Sequence, residues 1–470
     1  MRFSPFLEVK VKHATIVTVT LCSLLRFAAT CIWAQGIPPY PKAVTGKAVL
    51  RETSMLPPPV NAPFTDPDFG ETIVRITGPS TNGFDPQRTF FRTEASGEEN
   101  EWNVDSTKFY VFATGGHNLA FGFDPSIMAV RSLPGALPGY GLEIPFGPGP
   151  TFSFADPDLI YGTPVQHGLI ISSFRFSTRQ IVPIIDTTTC GTVPAIGAGS
   201  GSLVSNDGDL SLSADDSRMS ISEVGPQYGA TMVIIVYDRK RGCRWYNTQT
   251  GQIGGRWGAR GTAMGPTMPY YVQRAKLSLS GNYMKIQATS GNYFWDISTL
   301  NVSYCRKASG WHCSGYDAIG YNNMVNAAGA VDEMNIIKHP LRNPADIEPL
   351  VWPLTPPYHW DQEHHFSWNN VDAADSRPVC LSNYNYEGDP TINNAYDNEI
   401  VCVETDLVRS TVWRFAHHRA IWLSPWFNSQ PLGTVSKDGR FFLFTSSWDL
   451  QVGWLINGAP RSDVWIVHLE

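Results

Sequence analysis

The chain has 470 residues, a formal net charge of −7 and a pI near 5.9, and 42% of it is hydrophobic, enough for one large core. The acidic balance, with no Lys/Arg cluster interleaved with aromatics, argues against nucleic acid as a partner. With 41 Gly, 35 Pro, 15 Trp, 18 Tyr and 24 Phe, the composition favours strands and turns over helices.

At the N-terminus, Arg2, Lys10 and Lys12 precede a mostly apolar run from Ala14 to Cys31, and Ile32-Trp33-Ala34 before Gln35 offers a small residue at a cleavage point. This pattern predicts a secretory signal peptide over residues 1–34. The run, interrupted by Arg26, falls short of the roughly 20 clean apolar residues of a span, so no membrane span is expected in the mature chain. Residues 35–67 are Pro-rich and read as an extended lead-in, and residues 68–470 as the folded domain. The first strong strand is Thr72-Ile73-Val74-Arg75-Ile76-Thr77.

A turn-and-strand phrase then recurs about every 45 to 65 residues. Its clearest copy is Val435-Ser436-Lys437-Asp438-Gly439-Arg440-Phe441-Phe442-Leu443-Phe444. Earlier copies begin near Trp102, Phe152, Leu212, Leu277 and Phe366, and Gly315 to His339 fits a degenerate one. Asp, Asn and Ser bond their own backbone in tight turns and Gly accepts positive φ, so each phrase reads as a hairpin. Several are followed by a second strand pair, such as Met232–Asp238, Glu399–Glu404 and Asp463–Leu469. The reading is all-β: a β-propeller of four-stranded blades, seven in number, whose ring closes when the strand from Thr72 joins the last blade.

Removal of the leader leaves six cysteines, and an even number in an exported chain points to disulfides. Cys305 and Cys313 bracket a short loop, Cys380 and Cys402 fall on adjacent strands of one blade, and Cys190 is left with Cys243. Buried free thiols are the alternative. No Cys-x-x-Cys spacing suited to a structural metal is present.

The densest set of ligand-type side chains is His359-Trp360-Asp361-Gln362-Glu363-His364-His365-Phe366-Ser367-Trp368-Asn369, just before a blade's first and innermost strand. A second group, Arg414-Phe415-Ala416-His417-His418-Arg419, lies ahead of the last blade and is followed by Trp422 and Trp426-Phe427-Asn428. If both face one rim, their imidazoles, carboxamide and carboxylates suit one divalent metal ion. Two other readings stand beside this: structural hydrogen bonding by the histidines, and a metal-free rim where Trp360, Trp368, Tyr384 and Arg419 contact a sugar or peptide. There is no Gly-x-Ser-x-Gly elbow and no His-Glu-x-x-His, and Gly197-Ala198-Gly199-Ser200-Gly201 lacks the Lys of a phosphate loop.

The phrase at Val435–Arg440 with Phe444-Thr445-Ser446-Ser447-Trp448, and His365–Asn369 before it, resembles the repeats of bacterial TolB-like propellers and of the related oligogalacturonate lyase propellers. The lyase resemblance implies a metal held by the pattern Gln-x-x-His-x-His, with Gln362 and His365 at two of its places. Ser367 stands at the last one, a place that His364 or His417 would have to supply. It further implies a metal-neutralised uronate carboxylate, a base that takes the adjacent proton, and Arg414 or Arg419 as charge partners. The expectation is therefore an exported module that binds a glycan or protein through the rim of its channel. The alternative is a metal-assisted polysaccharide lyase or hydrolase.

Overall fold

The computed structural model describes residues 40–470 except 95–99, 134–138, 148, 165–169, 191–203, 206–209, 225–231, 256, 258–261, 269–271, 289–290, 307–316, 329–334, 352–362, 370, 385–390, 393 and 407–410. The leader, the Gly197–Gly201 stretch, Cys313 and the site candidates Trp360, Asp361 and Gln362 lie outside the described residues.

Seven antiparallel sheets form a ring. Blade I holds Phe91–Arg92, Lys108–Ala113, His117–Asp124 and Ala129–Arg131, and blade II holds Thr151–Phe152, Leu159–Gly162, Ile170–Arg175 and Gln180–Asp186. Blade III is built on Ser211–Leu212, Arg218–Val224, Met232–Asp238, Gly242–Asn247 and Gln252–Gly255, and blade IV on Val272–Leu277, Tyr283–Ala288, Gly291–Asp296 and Val302–Arg306. The degenerate phrase is blade V, with Asp317–Ile319, Asn323–Ala328, Asn335–Pro340 and Glu348–Val351. Blade VI comprises Glu363–Ser367, Val379–Tyr384, Glu399–Val403 and Val412–His417. Blade VII comprises Gly433–Val435, Phe441–Ser446 and Asp463–His468 from the C-terminus, and Thr72–Arg75 as its fourth strand. Ile73 pairs with Val467 and Arg75 with Trp465, so the ring closes between the two ends of the domain, as expected from the sequence.

One turn chemistry explains the repeats. In four phrases a side-chain oxygen accepts the backbone N–H five residues on: Asn103 from Lys108 at 2.9 Å, Ser213 from Arg218 at 2.9 Å, Ser278 from Tyr283 at 3.1 Å and Ser436 from Phe441 at 3.0 Å. In each the residue three positions on has a left-handed backbone: Ser106, Asp216, Gly281 and Gly439, with φ between 55° and 76°. Where that residue is acidic it also ties two blades together. Asp216 accepts the N–H of Phe154 in blade II at 2.9 Å, and Asp375 of blade VI accepts those of Asn322 and Asn323 in blade V at 2.7 and 2.9 Å.

Between blades the cores are aromatic and aliphatic. Trp102, Phe109 and Phe123 of blade I pack on Phe441 and Ile466 of blade VII, and comparable clusters join I to II, II to III, III to IV, IV to V and V to VI. The phrase turns also close one end of the channel. Phe154, Ala214, Leu279, Tyr321 and Val371, from blades II through VI, fall in a single cluster. Backbone bonds run from Ala214 N to Leu279 O at 2.8 Å and from Leu279 N to Gly320 O at 3.0 Å, and Lys437 of blade VII reaches across to the carbonyl of Phe154. Above this floor the channel holds a cavity of about 30 Å³ lined by Asn100, Thr151, Ser211, Lys276 and Asn369, room for a water or two.

The segment from Lys42 to Asp68 runs along blades VI and VII as a strap. Val44 pairs with Arg414 and Thr45 with Trp413 at the edge of blade VI, and Phe64 pairs with Ile73 at the edge of blade VII. Two disulfides, Cys190–Cys243 and Cys380–Cys402, match the predicted pairs. Cys305 is also disulfide-bonded, and Cys313, its expected partner, lies outside the described residues. Among the described residues no helix is long and apolar enough to cross a membrane.

Candidate functional site

Because the phrase turns seal one end, the opposite end is where a ligand would enter. At that end His364 and His365 begin the innermost strand of blade VI, and His417 ends its outermost strand, followed by His418. Both histidine pairs therefore belong to one blade, on either side of it, and do not sit on two facing blades.

Asn383, on the second strand of blade VI, joins them. Its Oδ1 accepts from His364 Nδ1 at 2.5 Å, its Nδ2 donates to Tyr396 O at 3.3 Å, and its carbonyl accepts from His418 Nε2 at 2.7 Å. His418 Nδ1 in turn accepts the N–H of Ala420 at 2.9 Å, which fixes the neutral tautomer with its proton on Nε2. His365 stacks on Tyr384 at 5.5 Å between ring centroids and meets its hydroxyl at 3.1 Å. His417 packs edge-on against Phe69 at 5.0 Å. All four rings are buried. Burial pulls His365 and His418 down to about 3 and His417 to about 4; Arg274 of blade IV, across the channel, adds to the effect on His365. These imidazoles are neutral throughout the physiological range.

The two arginines are equally withdrawn. Arg414 forms a bidentate pair with Glu399, and Arg419 is surrounded by Glu52, Asp68 and Asp449. Trp368 and Asn369 are also buried, the indole N–H donating to Arg377 O at 2.8 Å and the Asn369 amide to Val435 O at 2.8 Å. Ser367 Oγ accepts the N–H of Val435 at 3.0 Å, so the side chain at the last place of the lyase pattern is a rivet between blades VI and VII. Of that pattern, Gln362 lies outside the described residues, His365 is buried against Tyr384, and Ser367 is engaged with Val435. Among the described residues no group of three His, Cys, Asp or Glu is arranged to hold an ion.

What does face outward at this end is apolar, and it begins beside the buried Tyr384. Tyr384 meets Trp422 edge-on at 6.0 Å, and from Trp422 the connection into blade VII continues through the half-buried Trp426 to the exposed Phe427. Asn428 Nδ2 donates to Pro460 O at 3.0 Å, bringing this connection against the long hairpin of blade VII, where Trp454 is 51% and Ile456 68% exposed. Arg92, at the start of blade I, lies between the rings of Phe112 at 4.2 Å and Phe427 at 5.8 Å. The arc from blade VI across blade VII to blade I is therefore an aromatic ledge. Trp422, Trp426 and Phe427 were visible in the sequence beside the second histidine pair. Trp454 and Arg92 were not singled out, although Trp454-Leu455-Ile456 is an apolar run inside a polar, Gly-containing hairpin.

The chain is a seven-bladed β-propeller. No family model and no curated protein matches its sequence. Among solved structures this propeller is similar to an oligogalacturonate lyase from Vibrio parahaemolyticus, with a TM-score of 0.54 and 11% identity over 91% of this chain and 99% of that one. Weaker similarities are to the hydrazine synthase of Kuenenia stuttgartiensis (TM-score 0.41, 12% identity, 79% of this chain and 95% of that one) and to TolB from Acinetobacter baumannii (0.32, 12%, 60% and 57%). At such identities the likeness is one of fold.

Proposed function

We propose that this propeller is an exported, non-enzymatic binding module that takes a glycan on the aromatic ledge of blades VI, VII and I. The observation that carries the reading is the contrast at the open end: Phe427, Trp454 and Ile456 present apolar surface, while the histidines and arginines beside them are buried and bonded within the fold. Flat rings beside polar groups suit the apolar faces and hydroxyl edges of a sugar, and a protein would use the same surface less selectively. Two disulfides support export, since such bonds persist in oxidising compartments. Ser367 and the buried His365 weigh against metal-assisted lyase chemistry.

The test is calorimetric titration of the chain without residues 1–34 against neutral and acidic oligosaccharides, with Trp454→Ala and Phe427→Ser alongside. A ring at the centre of a contact contributes on the order of 2 kcal/mol, so each variant should weaken binding by about 30-fold. Absence of saccharide binding, or equal affinity in both variants, would defeat the proposal. Release of unsaturated uronate from pectin fragments would instead revive the lyase reading.

A further inference from the structure

We infer that the N-terminal strap is a proton-gated clasp, closed while its carboxyl cluster holds an extra proton and opened at alkaline pH, and that its release loosens the connection carrying the ledge aromatics. The inference concerns regulation of the surface proposed above and rests on that reading only for its purpose.

Three carboxylates converge on one guanidinium. Arg419 Nη1 lies 3.0 Å from Glu52 and 3.5 Å from Asp449, and Nη2 lies 3.6 Å from Asp68 and donates to the carbonyl of Thr53 at 2.8 Å. The guanidinium sits 5.0 Å from the Trp448 ring, and its side chain is fully buried. Glu52, Thr53 and Asp68 come from the strap, Asp449 from the blade VII hairpin, and Arg419 from the VI-to-VII connection. One cation does not balance three anions around a buried guanidinium, even with Glu52 and Asp449 partly exposed at 20% and 24%. Asp68 already accepts from Thr53 N at 2.9 Å and Thr53 Oγ1 at 2.6 Å, which leaves Glu52 and Asp449 to share a proton. In accord with this, burial drives Glu52 up to about 8, with Asp449 and Asp68 pushing the same way and Arg419 opposing. The other ionisable groups packed around the cluster are Asp66 on the strap and, on the edge strand of blade VI, the neutral His417 and the Glu399-paired Arg414.

The backbone gives independent support. Arg419, Trp448, Asp449 and Leu450 are non-glycine residues with φ of 53°, 47°, 55° and 63°, gathered at this one spot, and Asp449 N–H donates to Arg419 O at 2.8 Å. Such conformations persist only where surrounding contacts impose them, and they collect at clamps and switches. The link to the ledge is short. Arg419 is followed by Ala420, bonded to His418, and by Ile421, whose N–H donates to Ser447 Oγ at 3.0 Å, just ahead of Trp422. When Glu52 loses its proton, three negative charges face one guanidinium, and what else ties this part of the strap down is a ladder of two residue pairs, Val44 with Arg414 and Thr45 with Trp413, and single bonds from Arg414 to Ala48 O, Arg419 to Thr53 O and Trp448 to Met55 O.

Hydrogen–deuterium exchange of the full mature chain, without ligand, at pH 6.5, 8 and 9.5 and corrected for base catalysis, tests this. Peptides spanning residues 43–55 should exchange at least tenfold faster at pH 9.5 than at 6.5, those spanning 420–430 should follow, and blade III should not change. Glu52→Gln, which keeps the shape of the protonated acid, should abolish the acceleration, with Asp449→Asn as the second variant should the first misfold. No acceleration in the parent, acceleration that survives in the variant, or equal acceleration in blade III would each overturn the inference. Because no glycan is present, failure of the ledge as a binding site leaves this result readable, and the converse holds as well.

Discussion

The guanidinium of Arg414 meets the carboxylate of Glu399 in two parallel hydrogen bonds, Nε to Oε2 at 2.7 Å and Nη2 to Oε1 at 2.5 Å, with both side chains fully buried. Its remaining Nη1 donates to the carbonyl of Ala48 at 2.7 Å, and the rings of Tyr396 and Phe69 lie 5.4 and 5.6 Å away. A residue that reads in the sequence as a charge partner for a ligand is thus a rivet between the edge of blade VI and the strap.

Truncating one partner of this pair leaves a buried, uncompensated charge, so Arg414→Ala should destabilise the chain by about 3 to 5 kcal/mol. Replacing both groups with apolar ones, as in Arg414→Met with Glu399→Leu, should restore most of that loss, because the cost lies in the orphaned charge. Urea midpoints decide the matter: a single variant as stable as the parent would show that Glu399 is not held as described.

Asp375 should matter as much, for a different reason. Its carboxylate accepts the backbone N–H groups of Tyr321, Asn322 and Asn323 at 2.5, 2.7 and 2.9 Å and the Asn323 amide at 2.8 Å. Burial is the larger influence and holds this carboxyl above the usual carboxylate range, and the four bonds pull it part of the way back. Asp375→Ala strands several donors at the seam of blades V and VI and should cost roughly 2 to 4 kcal/mol. Proteolysis at that seam in the variant, with the other blades resistant, would be the accompanying sign.

The buried histidines and glutamates together set a pH optimum. His365, His417 and His418 titrate at about 3, 4 and 3 in the fold against 6.5 when unfolded, so the unfolded chain binds more protons below pH 6.5 and stability falls as pH drops. Glu52, Glu71 and Glu399 are raised to about 8, 7 and 7 from 4.5, burial being the leading cause in each. The folded chain therefore holds more protons than the unfolded one above pH 4.5, and stability falls as pH climbs through 7 and 8. Thermal midpoints should peak between about pH 5 and 6.5, since each such group tilts the curve by up to about 1.4 kcal/mol per pH unit. A maximum at pH 8 or above would contradict these assignments.

Blade count and the pairings of Cys380 with Cys402 and Cys190 with Cys243 were legible from the repeated hairpin chemistry, and ring closure from the lone strand at Thr72 that the last blade lacked. A Ser or Asn that bonds the N–H five residues on, with a left-handed residue between, marks a hairpin wherever it occurs, and a strand paired to its neighbour puts Cys380 opposite Cys402. The histidine cluster was visible too, but its burial was not. That burial depends on partners far along the chain: Asn383 on a middle strand, Phe69 on the strap, and Tyr384 across from the inner strand. Glu52 carries no motif in Leu50-Arg51-Glu52-Thr53, and only the fold brings it to Arg419, 367 residues away in sequence. Spacing therefore located the right end of the right blade while leaving open whether its ionisable groups face solvent or core.

The two described disulfides offer a graded test of the ring's cohesion. Cys380–Cys402 closes a loop of separation 22 within blade VI, whereas Cys190–Cys243, of separation 53, ties the chain after blade II to the middle of blade III. A crosslink stabilises mainly by limiting the unfolded chain, more so for a longer loop, which gives about 3.4 kcal/mol for the first and about 4.2 kcal/mol for the second. All four cysteines are buried, so the loss of two sulfur atoms is common to both alanine pairs. Paired Cys→Ala variants should therefore lower the thermal midpoint in that order, with Cys190→Ala/Cys243→Ala the less stable. A reversed order would mean that native-state packing at the cross-strand pair in blade VI, and not chain entropy, governs what that bond contributes.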